Sequence, residues 1–171
     1  MINKIAAAGL GLLFTGTTVF AQSLDDAKKA IDAEQYQKAK SMLKNLTTTQ
    51  ADKDENYFYL GWVYLKQDYA DSAKAVFNKG ISVNPKSALN FAGLGAVAHI
   101  EKDNATATTD FNSAIQLAGK KNGTPFQYVG LAYLLPVSGS AVGPNGSAVS
   151  PADANAAIAV LNQERQLIRA I

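Results

Sequence analysis

Residues 54–87, DENYFYLGWVYLKQDYADSAKAVFNKGISVNPKS, and residues 88–121, ALNFAGLGAVAHIEKDNATATTDFNSAIQLAGKK, are two versions of one pattern. Tyr57 recurs as Phe91, Leu60-Gly61 as Leu94-Gly95, Ala73 as Ala107 and Phe77 as Phe111, all at one and the same separation. The pattern extends outward in both directions. Phe91 and Gly95 return as Phe126 and Gly130 after a step one residue longer, and Ala73 steps back to Ala39. A fixed period in the range of about 20–50 residues marks one structural unit used repeatedly, too small to bury its apolar face alone and stable only when stacked on its neighbours.

The residue types say how each unit is built. An aromatic, a Leu and a Gly at helical spacing predict a first helix; Ala and Phe predict a second that lies against it. Gly61 is expected to face Ala73 and Gly95 to face Ala107, because so little side chain lets two helix axes approach closely. Pro85 stops the second helix, having no N–H and restricting the residue before it. The register predicts helix pairs over 24–34 and 36–47, 54–67 and 71–83, and 88–101 and 105–118. A fourth pair begins near 124–135, is interrupted at Pro136, and resumes near Ala152 with Ser150 as cap and Pro151 in the first turn. The Gly-, Ser- and Pro-rich stretch at about 136–151 reads as an insertion of about 15 residues in that last unit. Its length assumes Ala157 is the counterpart of Ala73. Glu164 then stands where a small residue is expected.

The sequence resembles the tetratricopeptide repeat (TPR) family. The eight signature places of that family hold Tyr57, Leu60, Gly61, Tyr64, Ala73, Phe77, Gly80 and Pro85, and in the next unit Phe91, Leu94, Gly95, Ala98, Ala107, Phe111, Ala114 and Gly119. The resemblance implies an all-α, right-handed superhelical stack of antiparallel helix pairs with about three to four repeats. On this register the chain divides into a weak N-terminal pair at 22–53, repeats at 54–87 and 88–121, and a divergent repeat at 123–171. It also implies a concave face lined by the second, fifth, ninth, twelfth and thirteenth places of each unit. Those are Glu55, Phe58, Trp62, Leu65 and Lys66; Leu89, Ala92, Ala96, His99 and Ile100; and Thr124, Gln127, Leu131, Leu134 and Leu135. The residues expected to touch a partner are Phe58, Trp62, Leu65, Lys66, Ala92, Ala96, His99, Gln127 and Leu131. Phe58 and Trp62, one helical turn apart, form the expected aromatic anchor.

Ahead of the repeats, residues 1–21 read as an export signal. Lys4 is its one charge, an apolar and small-residue run follows from Ile5 to Phe20, and Val19-Phe20-Ala21 suits cleavage after Ala21. This predicts a bacterial protein that is periplasmic or secreted, with no stable membrane insertion once the signal is removed.

Composition narrows the function. Lys and Arg number 16 against 14 Asp and Glu, a net charge of +2 without a basic stripe, which argues against nucleic-acid binding. Cysteine is absent and His99 is the one histidine, so thiol chemistry and Cys/His zinc sites find no residues to use, and a lone His without a second ligand or a nearby Ser-plus-acid constellation reads as structural or surface. Neither a metal site nor a catalytic residue nor a cofactor is expected. The reading is an exported scaffold whose concave face binds a partner protein or peptide. Recognition of a C-terminal carboxylate is disfavoured, because Phe58 and Trp62 stand where Lys and Asn would be needed. A structural spacer in an envelope assembly is the alternative, and an enzyme a more distant one. The last helix carries Ile158, Val160, Leu161, Leu167, Ile168 and Ile171, more apolar surface than one face of an end helix buries, which predicts a further repeat or self-association.

Overall fold

The computed structural model describes residues 23–120, 122–137 and 149–170. The expected export signal, Ile171 and most of the inserted stretch lie outside them. The described residues form eight helices in chain order: α1 Leu24–Asp32, α2 Tyr36–Thr49, α3 Asp54–Lys66, α4 Ala70–Val83, α5 Ala88–Ile100, α6 Asn104–Ala118, α7 Thr124–Ala132 and α8 Pro151–Arg169. The fold is an all-α solenoid of helix pairs.

Each helix packs on the next one along the chain. Beyond that, α1 touches α3, α3 touches α5 and α5 touches α7, whereas the second helices of successive units do not meet among the described residues. First helices therefore form an inner row and second helices an outer one. An array with a crowded row and a spread row curves toward the crowded side, which makes the inner row the concave face.

The close approach inside each unit has a more specific basis than glycine facing alanine. A Cβ added to Gly61 would overlap the Phe77 ring, and one added to Gly95 would overlap Phe111. The glycines thus seat the phenylalanine four residues after the expected alanine, a correction of one helical turn. Phe77 is also met from the other side, because a Cβ on Gly93 of the following unit would strike the same ring. One fully buried phenylalanine is therefore clamped between glycines of two successive first helices, α3 and α5. Burial of such a ring stabilises by about 1.5–3 kcal/mol. In the last unit the pair becomes Gly130 and Leu161, where a Cβ would stand 3.2 Å from the leucine Cγ. In the first unit Ala27 and Leu43, both fully buried, hold the same places.

These pairs fix the fourth register. Ala27 to Leu43, Gly61 to Phe77 and Gly95 to Phe111 are the same step, and only Gly130 to Leu161 is longer. Ala157, which is buried, precedes Leu161 by the same four residues that separate Ala73 from Phe77. Glu164, at the small-residue place, turns toward the start of α7 and lies against Gly123. Its carboxylate accepts from Gln127 Nε2 at 3.3 Å.

Local signals end the helices where the sequence changes. Ser23, Ser87, Asp103 and Ser150 cap α1, α5, α6 and α8 by accepting the N–H three residues on, and Pro151 occupies the first turn of α8. Between the helices of the first three units, Glu34, Asp68 and Lys102 adopt φ of 56°, 62° and 64°. The N–H of the residue after each returns to the carbonyl five residues back, Gln35 to Ala30, Tyr69 to Tyr64 and Asp103 to Ala98, closing a Schellman turn at the same place in each unit. The helix α7 stops at Ala132, earlier than the expected 135, and Tyr133 and Leu134 continue as a turn.

Candidate functional site on the concave face

The inner row supplies three chemically different zones. At the N-terminal ends of α3, α5 and α7 lies a polar cleft of about 290 Å³, bordered by Glu55, Lys86, Ser87, Leu89, Asn122 and Thr124. Glu55, Leu89 and Thr124 are the second places of three consecutive units. Behind this rim, fully buried Asn90 donates from Nδ2 to the Asp54 carbonyl at 3.0 Å and to Ser87 Oγ at 2.8 Å, tying α5 to the start of α3.

At the opposite ends of the same helices is an apolar cleft of about 280 Å³, lined by Leu65, Asp68, Ala70, Ile100, Leu135, Pro136 and Val137. Leu65, Ile100 and Leu135 are its core, and they are the twelfth- or thirteenth-place residues of the same three units. Leu131 and Leu134, 47% and 44% exposed, also belong to the expected groove places of the α7 unit.

Between the clefts the groove is filled. Tyr128 of α7 lays its ring edge-on to Phe58 at 4.6 Å, Trp62 at 4.8 Å and Tyr59 at 5.9 Å between centroids. Phe58 stacks in turn on Trp62 and leans on Phe77, joining this cluster to the glycine-clamped core. The helix α5 packs on both α3 and α7 and offers only Ala92 and Ala96 at the fifth and ninth places, each fully buried. With so little side chain on the intervening helix, the aromatic side chains of α3 and α7 meet across it.

The tyrosines give the floor its polar character. Burial pushes the Tyr59 pKa up to about 12, although the neighbouring Tyr128 hydroxyl acts the other way. The Tyr128 hydroxyl is driven upward as well, first by burial and then by the neighbouring Tyr59. Both are neutral hydrogen-bonding phenols throughout the physiological range. Lys28 of α1 lies over the Tyr59 ring, 4.7 Å from its centroid, and pairs with Glu55 at 3.1 Å. Its charge is thereby held at the edge of the tyrosine floor.

This arrangement redistributes the expected contact residues. Phe58, Trp62, Leu65, Ala92, Ala96 and His99 are all buried, and Lys66, Gln127 and Leu131 are exposed. The Phe58–Trp62 pair is therefore a core element under Tyr128 rather than an open anchor, and Ala92 and Ala96 are packing residues. Leu65 is buried yet forms one wall of the apolar cleft. His99 sits at the end of α5 with its ring edge-on to Tyr133 at 5.3 Å, and its Nε2 lies 3.9 Å from the Asp153 carboxylate, too far for a hydrogen bond. Burial depresses the His99 pKa and Asp153 partly restores it, so the ring is neutral at pH 7.

Sequence reasoning missed Tyr59 and Tyr128. The signal was present at the sixth place of the units, which reads Tyr59, Gly93, Tyr128: large, absent, large. Among the described residues no group of three or more His, Asp or Glu side chains is placed to hold a metal, and no helix is long and apolar enough to cross a membrane.

No protein-family model matches the chain, and no curated protein does so. Among solved structures, the crystal structure of MamA, a TPR-containing protein, superposes with a TM-score of 0.52 over 84% of this chain and 75% of its own, at 19% sequence identity. A likeness at that identity concerns architecture alone, and the architecture it supports for this chain is a TPR-like solenoid.

Proposed function

We propose that this protein is an exported interaction scaffold that holds an extended segment of a partner protein along the inner row of its solenoid. A TPR-like scaffold is suited to binding without chemistry, because stacked hairpins present a long surface whose residues vary freely between units. The observation that carries the reading is the apolar cleft of about 280 Å³, in which Leu65, Ile100 and Leu135 from three successive units converge. A cavity of that size accepts one large apolar side chain of the partner, while Leu131 and Leu134 offer apolar surface for the adjoining residues. Export rests on the charge and hydropathy pattern of residues 1–21 and places the partner in the periplasm or outside the cell.

The test is co-purification from an envelope extract, with a photo-crosslinking residue at Leu134. Wild type is expected to capture a defined partner through position 134, and Leu131→Glu with Leu134→Glu is expected to lose it without loss of helicity, both side chains being exposed. Capture that is unchanged in the double variant, or that moves to crosslinkers on the outer row, would refute the proposed surface.

A further inference from the structure

The outward face of α8 carries a stripe that no other unit repeats. Ile158, Leu161 and Ile168 are 57%, 39% and 58% exposed. With Ala154 and Arg165 they follow alternating steps of four and three residues, the spacing of a coiled-coil seam. A different set, Ala157, Val160 and Glu164, faces inward: Ala157 is buried and the other two are half-buried.

Stacking of a further repeat does not account for this stripe. Leu161 holds the place of Phe77, which the following unit does cover, so its exposure is what any last unit would show. Ile158 is different. Its place holds Lys40, Lys74 and Thr108 in the other units, where Lys40 hydrogen-bonds to Gln67 of the next unit at 3.1 Å and Lys74 pairs with Glu101 at 3.2 Å. Ile168 likewise replaces Gln50, Asn84 and Ala118. A unit built to receive an ordinary successor keeps a hydrophilic residue at the first of these places; α8 has an isoleucine at both.

We propose that α8 pairs with α8 of a second copy of this chain, antiparallel, about a two-fold axis at Gln163. The seam is self-complementary in that orientation. Ile158 and Ile168 lie five residues either side of position 163 and oppose each other's copies, while Leu161 and Arg165, two residues either side, put a leucine against an arginine stem. Charge favours the same orientation. Antiparallel pairing sets the negative end of one α8 dipole beside the positive end of the other, with exposed Arg169 in the last turn. Head-to-tail stacking of copies is opposed by α1, whose outward places hold Ser23, Asp26 and Lys29. All three are exposed, and they are joined by a Ser23–Asp26 hydrogen bond of 2.7 Å and an Asp26–Lys29 pair at 3.7 Å. Burying that polar end against Ile158 and Ile168 would cost desolvation with no matching gain.

A helix of 19 residues is roughly 28 Å long, so one such pair buries less than a standard interface and predicts a concentration-dependent dimer. Light scattering and sedimentation of the purified protein over a concentration series are expected to show mass rising from one copy to two and stopping there. Ile158→Glu with Ile168→Glu should remain a monomer throughout with unchanged helicity. The chain has no cysteine, so single cysteines report the geometry. Asn162→Cys, beside the axis, should oxidise to a linked dimer, whereas Asn155→Cys should not, because antiparallel pairing carries it to the far end of its partner. A single-copy mass at every concentration, growth beyond two copies, association unaffected by the double Glu variant, or linkage through Asn155→Cys in preference to Asn162→Cys would each overturn the proposal.

Discussion

Replacing Tyr128 with alanine tests the filled groove most directly, because one side chain from α7 closes over three from α3. Its ring makes edge-on contacts with Phe58, Trp62 and Tyr59 at 4.6, 4.8 and 5.9 Å. Contacts of this kind are each worth about 0.5–1.5 kcal/mol beyond the area they bury. Removing all three together with the ring's own burial falls within the range of about 3–5 kcal/mol for aromatic-to-alanine core changes, and toward its lower end because Tyr128 is only half-buried. A loss of about 3 kcal/mol in a domain of this size lowers Tm by about 6–12 °C. Trp62 is the single tryptophan of the chain and is 3% exposed, so its emission reports the same event by a second route. Tyr128→Ala should shift it to longer wavelength and make it accessible to acrylamide, while Tyr128→Phe, which keeps the ring, should leave it nearly unchanged. If Tyr128→Ala melts within about 2 °C of wild type, by the same conversion, and Trp62 stays shielded, then Tyr128 does not close the groove and Phe58 and Trp62 return as candidate contacts.

Three further outcomes are expected. Gly93→Leu should destabilise by roughly 1–3 kcal/mol or more in denaturant titrations, because its side chain would have to displace the Phe77 ring, and Ala75→Leu on the exposed face of α4 should do far less; equal effects would place the clamp elsewhere. Lys102→Gly should stabilise by about 1 kcal/mol, since φ of 64° suits glycine and strains a side chain, and a lower Tm would count against the Schellman turn. The folded-state pKa of His99 lies below its unfolded value of 6.5, so the unfolded chain binds the proton more readily. Its contribution is complete above that value and is lost as pH falls through the depressed folded pKa, so stability should decline in acid and His99→Leu should flatten that part of the profile.

How much of this was legible in the sequence depended on whether a feature repeats. The helix pairs follow from the periodic signal, because successive units solve the same packing problem with the same residue types, and the fourth unit's restart follows from a local signal, Ser150 as cap with Pro151 in the first turn. The Schellman turns also recur in the first three units but are not readable, since Glu34 and Asp68 are acidic and Lys102 basic and the three share only a backbone conformation. Glycine facing alanine was a half-right inference: the missing side chain matters, but the space is taken by Phe77 and Phe111, larger residues one turn along that only the three-dimensional register assigns.

The concave face shows where a repeat pattern stops informing. Groove places are defined by a regular stack in which each first helix presents side chains of ordinary size to an open channel. Here α5 carries Ala92 and Ala96 where α3 carries Phe58 and Trp62. That difference between units, rather than the pattern they share, brings α3 and α7 into contact through Tyr128 and buries the middle of the channel. It leaves the second and the twelfth or thirteenth places at the two rims, where helix ends diverge and no single side chain spans the gap. Among the described residues, the open space along the inner row is thus set by α5, whose side chains are too small to keep its neighbours apart. Restoring bulk there, as in Ala96→Leu, would have to expel the Tyr128 ring before it could reopen a groove.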